Sequence, residues 1–314
     1  MGRRRGSWLP ADRPSTNTCN TSNPMPPRTP DPFAFLTRDT LLHMGLNPVT
    51  DRDWVAPFSA AEFARFQQHK LRLLAAREQA PDSAQPVLVA ARAAAAVGEC
   101  RQALQQHLQR DHGAVMDACG IAFKQTPASD AMADLQDMSL WLPDDLCILQ
   151  PNTAGDYVLT AAAVFCPSLW LPADKMNKTL ADIHHPIPEF GQRLLPSVNR
   201  FFHHLKVGRP VVRFNWAIQV GDALARVPGQ VARKEGPLFY RSERQSLLRL
   251  PGSGAVVFLI RTQLWPLAEL DEISGEVNLL QRLLRHIDRL SQPERDYKGI
   301  SNSLLTTLEQ FRTG

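Results

Sequence analysis

Apolar positions at helical spacing open the folded part of the chain. Phe63, Phe66, Leu73 and Leu74 recur on one face, and the pattern predicts a helix from Ser59 to about Arg77. Ser59 and Glu62 stand at capping-box spacing, and Phe58 and Phe63 at staple spacing, so both marks of a helix start are present. An Ala-rich stretch, 87–97, leads into a second helix whose stripe is Val97, Cys100, Leu104 and Leu108. The first third of the chain is therefore expected to be mainly helical.

From Asp145 the period shortens to two. Residues 146–150 and 157–166 read as strands joined by a turn at 152–155, with Pro167 closing the second. Val212, Phe214, Trp216 and Ile218 alternate with Arg213, Asn215 and Ala217, which predicts a half-buried strand with one apolar and one mixed face. Residues 239–248 and 255–264 form a hairpin around Leu250-Pro251-Gly252-Ser253-Gly254. Helical spacing returns in Ile273, Val277, Leu280, Leu284 and Ile287, and again in Leu304, Leu308 and Phe311. The expected architecture is α/β of the α+β kind. It has a helical lead (31–140), an antiparallel sheet core of about five strands (141–265) and closing helices (266–314).

Composition narrows the function classes. With 44% hydrophobic residues the chain can bury a sizeable core. Its 35 Lys+Arg against 31 Asp+Glu leave +4, part of it in Arg3, Arg4 and Arg5, so no basic face for nucleic acid or an anionic membrane is expected. Residues 6–32 are rich in Pro, Ser, Thr and Asn, and residues 1–30 are expected to be a disordered extension. Met25 stands just before the folded part. Neither a membrane span nor a secretory signal is written. Cys19, Cys100, Cys119, Cys147 and Cys166 are odd in number and widely spaced, without a C-x-x-C pair. A reducing, cytoplasmic setting is the simplest reading. Nucleotide, hydrolase and zincin motifs are absent.

Three segments carry a more specific pattern. The first is Phe165-Cys166-Pro167-Ser168-Leu169-Trp170, followed by Lys175 and Ile183-His184-His185-Pro186-Ile187-Pro188. The second is Arg213-Phe214-Asn215-Trp216. The third is Arg241-Ser242-Glu243-Arg244-Gln245-Ser246-Leu247, then Arg249-Leu250-Pro251 and residues 258–262. In this order they resemble the haem-dependent oxidative N-demethylase family, also labelled the HRQ family. The resemblance covers roughly 31–314, nearly the whole chain, its earliest piece Met44-Gly45-Leu46 with Trp54 and its last Tyr297-Lys298-Gly299.

The resemblance implies one haem b domain over 31–314, with a PAS-like fold and iron as the metal. It implies a monooxygenase that takes a small N-methylated amine, dimethylamine-like, and O₂, and releases formaldehyde. Electrons would come from separate flavin and iron–sulfur subunits. A haem-binding sensor or carrier without turnover is the alternative. Two departures stand out: Gln263 follows Ile260-Arg261-Thr262 where the family often has Tyr, and Ser246 replaces a frequent Thr. If that tyrosine lines the pocket, substrate identity is affected.

Several residues carry both a chemical and a structural reading. With Asp174 as N-cap, Met176, Leu180, Ile183 and His184 fall on one helical stripe, while His185 is turned away and is biased out of helical geometry by Pro186. His184 is then either a core or capping histidine or the axial ligand of the haem iron. His203 and His204, the rival pair, read as a solvated helix end. Arg241, Glu243 and Gln245 share one strand face. That face either holds a haem propionate and an ammonium, or is a solvated strand with cross-strand ion pairs. Arg213, Arg244 and Arg261 are further cofactor candidates. Asn215 either touches substrate or oxygen or satisfies a loop. Phe165, Trp170, Trp216 and Phe258 read as core.

Overall fold

The structure is a computed structural model, and it describes residues 31–37, 44–79, 85–123, 130–187, 190–229 and 235–312. The expected N-terminal extension, with Cys19 and Met25, lies outside them. Short strand β1 (Asn47–Pro48) precedes helix α1 (Ala60–Gln79), β2 (Val87–Val89), α2 (Ala94–Asp111), α3 (Gly113–Ala118) and α4 (Ala131–Ser139). The hairpin β3 (Asp145–Pro151) and β4 (Tyr157–Ala163) leads into α5 (Pro172–Lys175), α6 (Leu180–His184) and α7 (Leu195–His204). Strands β5 (Val211–Val220), β6 (Leu238–Arg249) and β7 (Val256–Pro266) follow. Helices α8 (Leu270–Ser274), α9 (Leu279–Arg289), α10 (Gln292–Lys298) and α11 (Asn302–Leu308) close the chain.

The mixed helix-and-sheet expectation holds, with a seven-stranded antiparallel sheet ordered β1-β5-β6-β7-β3-β4-β2. The two strands beyond the expected five are β1 and β2, too short to show a period. Helix α1 starts as read, with Glu62 N–H donating to Ser59 Oγ at 3.1 Å and the Phe58 and Phe63 rings in contact. The α2 stripe Val97, Cys100, Leu104 and Leu108 is fully buried. The C-terminal stripe is corrected at Val277, which is 83% exposed. Gly275 takes a left-handed φ of 69° and ends α8 there, so one expected helix becomes two.

Register sorts the side chains of the central strands. On one face lie Arg213, Asn215 and Ala217, opposite Gln245, Glu243 and Arg241 of β6. Ile260, Thr262 and Leu264 of β7 continue that row. Farther along, Leu247, Val256, Cys147 and Leu149 join Leu180, Phe202 and Leu205 in an apolar cluster with Met176, Ile183 and Phe258 packed on it. The opposite face packs on two other cores. One is under α1, α2 and α4 and includes Trp54, Leu146 and Leu259; the other is under the C-terminal helices and includes Trp216, Ile218 and Tyr240. Among the described residues no helix is long and apolar enough to cross a membrane.

Candidate functional site

The segment over the mixed face begins with a correction. The expected continuous helix from Asp174 is broken: α5 ends at Lys175 and Asn177 takes φ 60°. Thr179, not Asp174, caps the helix that carries His184. Asp182 N–H donates to Thr179 Oγ1 at 3.2 Å, and Thr179 N–H donates to an Asp182 carboxylate oxygen at 3.2 Å, a reciprocal capping box. Leu180, Ile183 and His184 still share a face because they stand at i, i+3 and i+4 of α6. His185 keeps helical angles (φ −49°, ψ −35°) despite Pro186, so the expected shift away from helix is not taken. It is exposed, as are His203 and His204, while His184 is half-buried.

His184 has a defined tautomer. Its Nδ1 lies 2.8 Å from the Leu180 carbonyl oxygen, which can only accept, so Nδ1 carries the proton. That leaves Nε2 with its lone pair and no hydrogen-bond partner among the described residues. The ring stacks on Phe190 at 4.7 Å, the first residue of a π-helical turn (Phe190–Leu194) that runs into α7. Burial first, then the Arg213 and Lys175 charges, push the imidazole down to about 4, against the pull of the Leu180 hydrogen bond. The ring is therefore neutral over the physiological range.

On the sheet below, Glu243 is the centre of a hydrogen-bonded chain. Arg241 Nε donates to Glu243 Oε1 at 3.0 Å; Asn215 Nδ2 and Gln245 Nε2 donate to Oε2 at 3.1 and 3.4 Å. Burial pushes this carboxyl up, but Arg241, the Asn215 amide and the more distant Lys298 outweigh it and hold it below its ordinary value. Arg241 is fully buried. It also donates to Leu224 O (2.8 Å), Cys166 O (2.6 Å) and Thr262 Oγ1 (3.0 Å). It is thus fully engaged by the protein and ties the loops at 166 and 224 to the sheet.

Two cations beside Glu243 have no such commitments. Arg213, next to Glu243 and Tyr297, makes no hydrogen bond or ion pair among the described residues, and its Nε is buried without a partner. Burial pushes its guanidinium below the ordinary arginine value. Arg226, which faces Arg241 and Glu243, likewise has a buried, unpartnered terminal nitrogen. Its chain position is fixed by reciprocal backbone bonds, Leu169 N–H to Arg226 O and Arg226 N–H to Pro167 O. Lys298, from α10, completes the group: its Nζ donates to Asn215 Oδ1 at 2.9 Å and to Trp216 O at 2.7 Å.

The predicted set is thereby divided. His184, Arg213, Asn215, Arg241, Glu243 and Gln245 share one side of the sheet. Arg244 and Arg261, cross-strand partners, point to the other. Arg244 donates to the Asp53 and Trp54 carbonyls; Arg261 is buried in ion pairs with Asp144 and Glu62 (3.1 Å) and reaches the Ala56 and Pro57 carbonyls. Side-chain alternation keeps the two sets on opposite sides of the sheet, and these two arginines hold the 53–57 segment. Gln263, opposite Ser242, also points away from Glu243. Arg226 and Lys298 were missed by sequence reasoning. Arg226 lies in an irregular loop with no period, and Lys298, quoted only within Tyr297-Lys298-Gly299, shows its contacts only once α10 is seen against β5. Among the described residues no group of three or more His, Cys, Asp or Glu gathers as a metal site.

A family model described as haem-dependent oxidative N-demethylase, alpha subunit-like, matches residues 60–305. The match contains α1, the strands β2 to β7, His184, and the whole Arg213–Glu243–Lys298 group.

Proposed function

The chain belongs to the haem-dependent oxidative N-demethylase, alpha subunit-like family, and on that premise we propose that it holds haem b against the mixed sheet face and oxidatively demethylates a small N-methylated amine. The observation that carries this reading is His184: a neutral imidazole at an apolar cluster, with its tautomer fixed by Leu180 O and its Nε2 free. That is what an axial iron ligand requires. The PAS-like character implied by the sequence belongs to the same proposal, a short helical segment covering a ligand on a sheet face.

The residues present fit the group. His184 would ligate the iron. Arg213 and Arg226, each with an orphaned buried nitrogen, would take the carboxylates of the propionates. When bound, haem supplies activation of O₂ with electrons from a separate reductase, and the protein supplies orientation and charge. Glu243 stays ionised at neutral pH and retains acceptor capacity beyond its three donors, so it can attract a protonated amine. Phe190, Ile183 and Phe258 keep that face apolar. Oxidation of an N-methyl group to a carbinolamine, followed by collapse to the amine and formaldehyde, consumes O₂, two electrons and two protons and leaves one water. The electrons would come from flavin and iron–sulfur subunits.

The test is haem retention. His184→Ala is expected to lose most of the Soret band of the purified, haem-reconstituted protein, with partial recovery on adding imidazole. His185→Ala is expected to keep it. Equal Soret bands in both variants and the parent would remove His184 from the iron. A haem-loaded protein that makes no formaldehyde from dimethylamine with a competent reductant would favour a sensor or carrier.

A further inference from the structure

Lys298 is 7% exposed and has no carboxylate in direct contact among the described residues. Its Nζ donates to an amide oxygen at 2.9 Å and a backbone carbonyl at 2.7 Å, and it lies over the Trp216 ring, 4.7 Å from the centroid. Burying an ammonium on neutral partners is costly. Pinning the Trp216 carbonyl at the open edge of β5 would need only one neutral donor. The charge therefore matters at its other contact, Asn215.

An asparagine amide has an acceptor end and a donor end, and they are interchangeable unless something fixes them. An ammonium can only donate, so Lys298 forces Oδ1 of Asn215 towards itself and Nδ2 towards Glu243, 3.1 Å away. A flipped amide would set its oxygen against the carboxylate. We propose that Lys298 is a positioning residue of the amine site: through Asn215 it holds the Glu243 carboxylate in one orientation on the sheet face that carries Arg213 and Gln245. This rests on the reading of Glu243 as the partner of the amine.

The same contacts make the hold sensitive to pH. Burial, and to a lesser extent Arg213, bring the Lys298 ammonium down to about 7, while Glu243 pulls it up. The charged or titratable groups around it are Glu243 from β6, Arg213 from β5, Tyr297 beside it on α10, and His286 of α9, whose ring meets Trp216 at 5.8 Å. Below about pH 7 the ammonium and the Glu243 carboxylate fix the amide from both ends; above it the neutral amine makes a weaker contact to Oδ1, and the hold rests on Glu243 alone.

The experiment uses the haem-loaded full chain, with dimethylammonium as the calorimetric probe between pH 6 and 8.5. The parent should bind it more weakly as pH rises through about 7. Lys298→Arg, which stays charged, should flatten that dependence. Lys298→Met should weaken binding about tenfold or more at low pH, the loss of one charge-assisted contact. A Lys298→Arg profile that titrates like the parent would overturn the proposal, as would unchanged affinity in Lys298→Met. A second readout needs no amine. The chain has six tryptophans, and in 5-fluorotryptophan-labelled protein the Trp216 ¹⁹F resonance, assigned by its loss in Trp216→Phe, should titrate near pH 7 and cease to do so in Lys298→Arg. Glu243→Gln should move that midpoint down, because the carboxylate supports the ammonium. An unmoved midpoint would show the two groups to be uncoupled and sink the inference. If the parent binds no dimethylammonium while the ¹⁹F coupling is present, the amine reading fails and the linkage stands.

Discussion

Replacing Arg241 by Met tests whether the polar chain on the sheet is one coupled unit. Methionine fills the stem of the fully buried arginine but removes every donor. Glu243 Oε1 loses its contact at 3.0 Å, and the Leu224 and Cys166 carbonyls lose donors at 2.8 and 2.6 Å. Removing one partner of a buried pair costs about 3–5 kcal/mol, because the remaining charge is left uncompensated. The carbonyls add to this, though opening of their loops to water offsets part of it. An overall loss of about 4 kcal/mol is expected in urea unfolding at pH 7. The sign of its pH dependence follows from Glu243. In the parent its folded pKa is held below the ordinary 4.5, so its contribution is present above that pH and lost as pH falls through the folded value. Without Arg241, burial dominates and lifts the folded pKa above the unfolded one, so the variant's penalty grows as pH rises. The gap to the parent should narrow between pH 7 and pH 5. Adding Glu243→Gln to Arg241→Met should recover about 2 kcal/mol, a coupling expected of groups in direct contact. Amide exchange at 166–170 and 224–226 should quicken in the same variant. A loss below about 1 kcal/mol, or strictly additive losses in the double variant, would refute the view that Arg241 and Glu243 act as a pair.

Two further outcomes follow from the segment over the sheet and from the reverse face. Thr179→Ala removes the capping box of the turn that carries His184 and should cost about 1 kcal/mol in thermal unfolding, with faster haem release; an unchanged release rate would mean that Phe190 and the Leu180 carbonyl hold the ring without the cap. Gln263→Tyr restores the residue frequent in the resembling family, yet it points away from Glu243; dimethylammonium affinity should stay within about twofold, as for uncoupled sites, and a larger change measured by calorimetry would show coupling through the sheet.

What the sequence made legible were the parts with strong local periods. The long strands, the α1 start and the α2 stripe all appear close to where alternation and capping residues put them. Period also placed Arg213, Asn215, Arg241, Glu243 and Gln245 on matching faces, because a strand fixes the side of every second residue. It could not say which faces meet. Alternation alone sets Arg244 on the face opposite Arg241; register adds Arg261 beside it, where Arg261 pairs with Asp144 and Glu62. The helix before His184 was misjudged for a different reason. Asp174 and Thr179 are both good caps, and only Asn177 at positive φ decides between them. The role of Lys298, quoted only as part of the resembling Tyr297-Lys298-Gly299, was not legible because its partners, Asn215 and Trp216, lie more than eighty residues away in sequence.

The charges on this face imply an order of binding. Arg241 and Glu243 largely cancel one another at 3.0 Å. What remains is the positive charge of Arg213 and Arg226, both partly buried. Such a surface repels an ammonium and attracts carboxylates, and the repulsion is strong because burial weakens screening. On the reading proposed above, the two haem propionates neutralise Arg213 and Arg226, and only then does the ionised Glu243 dominate the field that an incoming amine meets. The arginines would thus do more than anchor the cofactor. By withholding the amine site from cations until the propionates are in place, they make amine binding conditional on haem, so a protein without haem should not bind the amine at all.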